Sequence, residues 1–321
     1  MAKIAIIGLG LIGGSIGLAL HQAGGGFEVV GHDKDPEAAS RAKRRGAVDR
    51  AEWNLPKTIE DAGLVIIATP AGAVESVFRV ISPFLRDDAV VTDTASTKVQ
   101  ILEWARQILP AGVSFVGGHP MAGKEKSGVE EAEATLFQGG TYCLAPSLTA
   151  KDEAVGLVAG LVSAVGAKPL FIDPVEHDSF VAAISHLPYL AATALVKTAA
   201  SSPAWRDISK VAATGFRDTT RIASGNTEMY RDICVTNREA IMRWLDAYIG
   251  ELAQIRDLLA EGDTAGLEET LRQAKTARDE WQMGREAAPR DATGPDGLST
   301  NDQLRQMLLG NWGSRRDQRK K

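Results

Sequence analysis

Of the five histidines in the chain, His119 is set in GGHPMAGKEKSG (117–128), a glycine-rich segment directly after an apolar run. An imidazole framed in this way could serve as a general base near neutral pH, as a metal ligand or as a hydrogen-bonded turn residue. A second constellation lies near the N-terminus. GLGLIGGS (8–15) fits G-x-G-x-x-G through Gly8, Gly10 and Gly13, follows an apolar strand and opens a helix. In that setting Gly8 permits the tight turn, Gly10 lets the backbone approach a pyrophosphate, and Gly13 lets helix and strand pack closely. The first helical N–H groups, at Leu11, Ile12 and Gly13, lack intrahelical acceptors and suit a phosphate anion. A glycine turn without a ligand is the plainer reading, and the strand–loop–helix context favours the dinucleotide.

Asp33, at the end of EVVGHDKD, is spaced to accept hydrogen bonds from an adenosine ribose, and its charge would repel a 2′-phosphate, so NAD is expected. Lys34, Arg41, Lys43, Arg44 and Arg45 follow and are read as a solvated helix face. Thr69 and Pro70, in ATPAG (68–72), are expected to line the cofactor cleft. AVVTDTASTK places Asp93, Ser96 and Lys98 just past another strand, and the His119 loop follows the next one. Ser96, His119 and the cofactor would then converge where open α/β sheets bind ligands, which raises the general-base reading of His119 above the turn reading.

The elements that must position these residues alternate. Strands are expected at 3–7, 28–33, 64–70, 89–95, 114–119, 141–146 and 168–173, with helices between several of them at 11–23, 36–45, 73–85 and 97–108. Most strands are apolar without alternation, as when both faces are covered. The pattern predicts an α/β fold with a doubly wound, Rossmann-type, mainly parallel sheet over residues 1–173. From 174 strand signals vanish. Ile241, Trp244, Leu245, Tyr248, Ile249, Leu252, Ile255, Leu258 and Leu259 recur at helical spacing, and a second helix is expected over about 267–281. An all-α domain over 174–285 should bury these stripes by pairing with a second copy, giving a homodimer. The polar segment 286–321 is expected to be poorly ordered.

Composition excludes other classes. With 44% hydrophobic and 24% charged residues and a net charge of −5, the 321-residue chain is an ordinary globular protein with no nucleic-acid surface. Cys143 and Cys234 lie far apart with no His or Cys at ligand spacing, so reduced thiols and no metal are expected. No secretory pattern precedes the first strand, and no apolar run looks close to the roughly 20 residues of a membrane span. The expectation is a cytoplasmic protein without a membrane partner.

Five motifs together, GLGLIGGSIGLAL, DTASTK, GGHPMAGKEKSG, ISHLP (184–188) and GFRDTTRIASGNTEMYRDI (215–233), have the order and spacing of prephenate dehydrogenases, which the chain resembles over residues 3–285. Those enzymes make 4-hydroxyphenylpyruvate, the precursor of tyrosine. The resemblance implies that His119 is the catalytic base for the ring hydroxyl of prephenate and that Ser96 hydrogen-bonds at that hydroxyl. It implies that His186 helps position the substrate, that Arg221 pairs with a substrate carboxylate with Arg217 in support, and that Glu125 belongs to the active-site loop. Without the resemblance, Arg217 and Arg221 read as a surface ion-pair set near Asp218, and His186 as a cap or kink before Pro188. The chain departs from the pattern at Lys124, where threonine is common, and at Tyr189, where a second histidine is frequent. L-arogenate is the alternative substrate, and a non-catalytic NAD-binding protein the distant one.

Overall fold

The structure is a computed structural model that describes residues 2–24, 26–124 and 126–287. Glu125 and residues 288–321, including most of the expected polar tail, lie outside the described residues. The first half alternates as expected: β1 (Ala2–Ile7), α1 (Leu11–Ala23), β2 (Phe27–His32), α2 (Pro36–Arg44), β3 (Arg50–Ala51), α3 (Leu55–Ile59), β4 (Leu64–Ile67), α4 (Ala71–Ile81), β5 (Val90–Asp93), α5 (Val99–Ile108) and β6 (Ser114–Pro120). There follow β7 (Thr141–Pro146), α6 (Asp152–Ala164) and β8 (Lys168–Phe171), and then only helices. The helices are α7 (Pro174–Val181), α8 (Leu187–Ala200), α9 (Trp205–Ile208), α10 (Thr214–Thr220), α11 (Thr227–Thr236), α12 (Arg238–Glu261) and α13 (Thr264–Ala287).

The eight strands form one sheet in the order β3-β2-β1-β4-β5-β6-β7-β8, parallel throughout except for the antiparallel β6–β7 pair. The chain runs outward from β1 to β3 and then crosses back to β4 on the other side of β1. The carboxyl ends of β1 and β4 therefore flank the topological switch point, where such sheets take ligands. Period-two alternation explains why the strands read as unbroken apolar runs. Ile4, Ile6, Leu64 and Ile66 pack on one face with Ile16 and Leu20 of α1 and Leu157 and Leu161 of α6. Ala5, Ile7, Val65, Ile67 and Val91 pack on the other with Val74 and Phe78 of α4 and Ile101 of α5. β3, only two residues long, carried no periodic signal.

α7 and α8 are one continuous helical run, Pro174–Ala200, with a wide π turn at Ala182–His186. Pro188 has no N–H to give to the preceding turn, and the widened turn absorbs that defect just before it. At 27 residues this run is long and apolar enough to cross a bilayer by length and composition, which corrects the expectation that no segment approached that length. Its polar residues His177, Asp178 and His186 are nevertheless buried within the protein.

The chain divides into two compact units, the first ending at Arg238 and the second beginning at Glu239. In the second unit α12 and α13 are joined through Gly262 (φ +69°) and Asp263, whose carboxylate accepts from Gly266 N at 2.9 Å and starts α13 a turn before its first leucine. The helix also runs past Gly284 to Ala287. Ile249, Leu252, Leu259, Leu271 and Trp281 are exposed. Cys143 is a buried free thiol and Cys234 a half-buried one.

Candidate active site

The glycine loop closes tightly. Gly8 has φ +93°, and a Cβ there would lie 2.5 Å from the Ala68 carbonyl oxygen at the end of β4. A Cβ on Gly13 would lie 1.9 Å from the Gly8 carbonyl oxygen, so α1 crosses its own loop at a distance only glycine allows. Gly10 differs: a Cβ there would meet nothing within 4 Å, so the protein leaves that side of the loop open. Gly10 precedes α1 without a side-chain cap, leaving the N–H groups that begin at Leu11 to an outside acceptor. Beside the loop, the Thr69 hydroxyl is buried without a protein partner. An open Gly10, uncapped helical N–H groups and an orphaned Thr69 hydroxyl fit a dinucleotide pyrophosphate. Pro70, next to Thr69, is the exposed N-cap of α4.

Asp33 is half-buried at the carboxyl end of β2. One of its oxygens accepts from Leu9 N at 2.7 Å and the other from Asp35 N at 2.9 Å. It ties the glycine loop to β2, and both oxygens keep further acceptor capacity.

His119 lies near the end of β6, beside Cys143 of β7. Beneath it, Lys98 and Asp93 form an ion pair with both side chains at 0% exposure. Lys98 Nζ also donates to the Gly118 carbonyl (2.7 Å), and Asp93 accepts from Gly118 N (3.0 Å) and Ala95 N (2.9 Å). Both peptide groups of Gly118, one residue before His119, are thus held. Burial lowers the Lys98 ammonium below its ordinary value, with Asp93 the main opposing charge.

Above this pair, His119 Nδ1 lies 2.9 Å from His177 Nε2, with the rings edge to face at 73°. His177 Nδ1 lies 2.8 Å from Asp178 Oδ1. Asp178 also accepts from Lys98 N (2.7 Å) and Val99 N (2.9 Å), at the start of α5. Asn237 donates to the Asp178 carbonyl (2.7 Å), and its amide lies 3.3 Å from His186 Nδ1. The other nitrogen of His186, Nε2, is buried without a protein partner. His119 and His186, 67 positions apart in sequence, thus belong to one hydrogen-bonded cluster. Burial first, then His177, Lys98 and His186, holds the His119 imidazole well below its ordinary value. Burial also lowers His186, to about 4.

Ser96 is half-buried in the loop between β5 and α5. Arg217 on α10 and Arg221, which opens the 3-10 turn after it, are exposed, and Arg217 pairs with its neighbour Asp218 at 3.0 Å. α10 ends at Thr220, and Arg221 follows as its C-cap with torsions that are still helical. Glu125 lies outside the described residues.

Both departures from the family pattern have local explanations. Tyr189 stacks on Tyr230 with centroids 3.4 Å apart, joining α8 to α11. Lys124 bonds Glu133 (2.6 Å) and the Glu131 carbonyl (3.0 Å), fastening the loop after His119 to itself. That loop is fastened to the nucleotide-binding half as well: Arg41 reaches Glu130 (2.6 Å), Arg45 the Ala132 carbonyl (2.9 Å), and Ser15 accepts from Glu133 N (3.0 Å). The expectation of a solvated face on α2 is therefore corrected for Arg41, while Arg45 stays exposed although it donates to the Ala132 carbonyl. Sequence reasoning passed over His177, Asp178 and Asn237. The only local signal was the His–Asp dipeptide nine residues before His186.

An open, mainly parallel sheet with a glycine loop at its switch point and a buried imidazole cluster on the same edge is the architecture of a dinucleotide-dependent oxidoreductase. Residues 16–170 match the prephenate dehydrogenase nucleotide-binding domain, and residues 173–273 match the prephenate dehydrogenase dimerization domain. Prephenate dehydrogenase of Bacillus subtilis (strain 168) is 36% identical over 281 residues, covering 86% of this chain and 75% of the relative. The crystal structure of prephenate dehydrogenase from Aquifex aeolicus in complex with hydroxyphenyl propionate and NAD+ superposes with a TM-score of 0.82 at 32% identity, covering 87% of this chain and 98% of that one. The crystal structure of Synechocystis arogenate dehydrogenase gives a TM-score of 0.76 at 31% identity, covering 87% and 99%. The chain belongs to the prephenate dehydrogenase family of NAD-dependent oxidoreductases, which serves tyrosine biosynthesis.

Proposed function

We propose that this chain is an NAD-dependent prephenate dehydrogenase with His119 as its general base. The observation that carries the reading is the His119 imidazole, kept neutral chiefly by burial, at the strand edge that also bears the glycine loop. A neutral imidazole can take the C4 hydroxyl proton of prephenate as the C4 hydride leaves, and bound NAD supplies the hydride acceptor. Loss of the ring carboxylate as CO2 sends its electron pair through the ring to the C4 oxygen, which takes a proton back and becomes the phenol. The products are 4-hydroxyphenylpyruvate, CO2 and NADH. Ser96 hydrogen-bonds at the hydroxyl, and His186 offers its unpartnered Nε2 to the substrate. Arg221, with Arg217 in support, meets a substrate carboxylate, since a guanidinium donates two parallel hydrogen bonds, and Glu125 belongs to the active-site loop. Leu11, Ile12 and Gly13 N–H groups, Asp33, Thr69 and Pro70 hold the cofactor.

Residues 1–173 form the nucleotide-binding domain and 174–285 the substrate and dimerisation domain, with 286–321 as a polar tail. The exposed apolar residues of α12 and α13 support a homodimer, and the composition supports a cytoplasmic enzyme without nucleic-acid or membrane partners. NAD and NADP reduction assayed side by side with prephenate and with L-arogenate tests the reading. NADH formation from prephenate is the expected result. Turnover of arogenate alone, or of neither substrate, overturns it.

A further inference from the structure

The hydrogen bonds around Asp178 determine where the protons sit on two histidines, and their bearing on catalysis rests on the reading of His119 as the base. Both Asp178 oxygens accept backbone N–H groups, from Lys98 and Val99, so Asp178 is an acceptor at its remaining contact as well. His177 Nδ1, 2.8 Å from Oδ1, must then carry a proton. With His177 neutral that is its only proton, and Nε2 is a bare acceptor. It faces His119 Nδ1 at 2.9 Å, which puts the His119 proton on Nδ1 and leaves Nε2 with its lone pair.

We propose that His177 is a positioning residue, oriented by Asp178, that selects the one tautomer of His119 able to accept the substrate proton at Nε2. The dyad also fixes the His119 ring, since the edge-to-face contact and the hydrogen bond come from the same neighbour. Because Asp178 caps the start of α5 and His177 and Asp178 lie on α7, the two helices place the dyad together. The charged and titratable groups around His119 are Lys98 from the loop before α5, His177 from α7 and His186 from the π turn, with Asp93 pairing Lys98 and Asp178 pairing His177. Once His119 has taken the proton, its Nδ1–H still points at an acceptor backed by a carboxylate. The same chain of hydrogen bonds therefore stabilises the imidazolium as it forms.

The test is a nitrogen-15 spectrum of histidine-labelled full-length protein with NAD bound, assigned with His119→Asn. Wild-type His119 should show a protonated Nδ1 and a bare Nε2. His177→Phe keeps a ring but removes the acceptor; turnover should fall about 10²–10⁴-fold. Its Michaelis constant for NAD should stay within about twofold. His177→Gln, whose carbonyl oxygen can accept the same N–H, should recover at least about tenfold of the loss. A wild-type His119 with its proton on Nε2, or an unchanged turnover in a folded His177→Phe variant, overturns the proposal. The wild-type spectrum decides even where the variant does not fold. Full turnover in His119→Asn would instead remove His119 as the base, a failure distinguishable from that of the dyad alone.

Discussion

Lys98 and Asp93 pair with both side chains wholly shielded from solvent, directly under the peptide that leads into His119. Removing one member leaves the other as a buried, uncompensated charge, which costs about 3–5 kcal/mol. Lys98→Met should lower stability by that amount, read from the urea unfolding midpoint. Activity should fall as well, because Gly118 loses an anchor on its carbonyl. An unchanged midpoint would show that Asp93 finds other partners.

His119→Asn keeps a polar group of similar size but cannot take the substrate proton. NAD binding, followed by fluorescence titration, should be unchanged, and turnover with prephenate should fall about 10²–10⁴-fold. The wild-type acid limb of kcat/KM should lie well below pH 6.5, because the depressed imidazole stays neutral until the pH drops past its lowered value. A limb at the ordinary histidine value would contradict the burial argument.

His186 ties stability to pH. Folding lowers it to about 4, chiefly through burial, whereas the unfolded chain protonates near 6.5. Above pH 6.5 both states are neutral and the group adds no pH dependence. Between about 6.5 and 4 the unfolded state binds more protons, so stability falls as the pH falls, by about 3 kcal/mol in all. The unfolding midpoint should drop less between pH 7.5 and 4.5 in His186→Gln than in the wild type. Equal drops would mean that other groups, His119 or the carboxylates, set the acid sensitivity.

The parts of the site that were legible in the sequence are those made by neighbours in the chain. The glycine loop declares itself because strand, turn and helix follow one another directly in the chain, from Ala2 to Ala23. His119 stands out because glycine and proline frame it. The His177–Asp178 dyad does not, since DPVEHDSF reads locally as the acidic first turn of a helix and its partner is 58 residues away. Lys98 and Arg41 were hidden in the same way. A lysine after a strand and an arginine on a charged helix look solvated until the fold brings Asp93 and Glu130 against them. The apolar run Pro174–Ala200 is hard to see because its histidines and aspartate break the pattern, and those residues are buried in the hydrogen-bonded cluster around His119.

Asp33 anchors Leu9 N and, on the proposed reading, also faces the cofactor ribose. Asp33→Ser removes the charge facing a ribose 2′-phosphate, so the NADP-to-NAD ratio of kcat/KM should rise at least about tenfold. It also takes the acceptor from Leu9 N, so the Michaelis constant for NAD should rise even though the serine could still meet a ribose hydroxyl. A variant that gains NADP activity with no change toward NAD would show that the loop does not need its Leu9 anchor.

Gly10 and Gly13 differ in what surrounds them: the first faces open space and the second is closed against its own loop. An alanine at position 13 would drive its methyl to 1.9 Å from the Gly8 carbonyl oxygen, and neither helix nor loop can yield without breaking the α1–β1 packing. Gly13→Ala should therefore cost at least about 1–3 kcal/mol and lower the unfolding midpoint even without NAD. An alanine at position 10 meets no protein atom within 4 Å, so the apo fold should tolerate Gly10→Ala within about 1 kcal/mol. The same methyl would occupy the side the loop leaves open, and NAD affinity should fall at least about tenfold, or 1.4 kcal/mol. Midpoints and NAD titrations of the two variants should cross: one unstable, the other stable but weak in binding. If Gly10→Ala bound NAD normally, the pyrophosphate would not approach that face, and the cleft would have to lie elsewhere along the sheet edge.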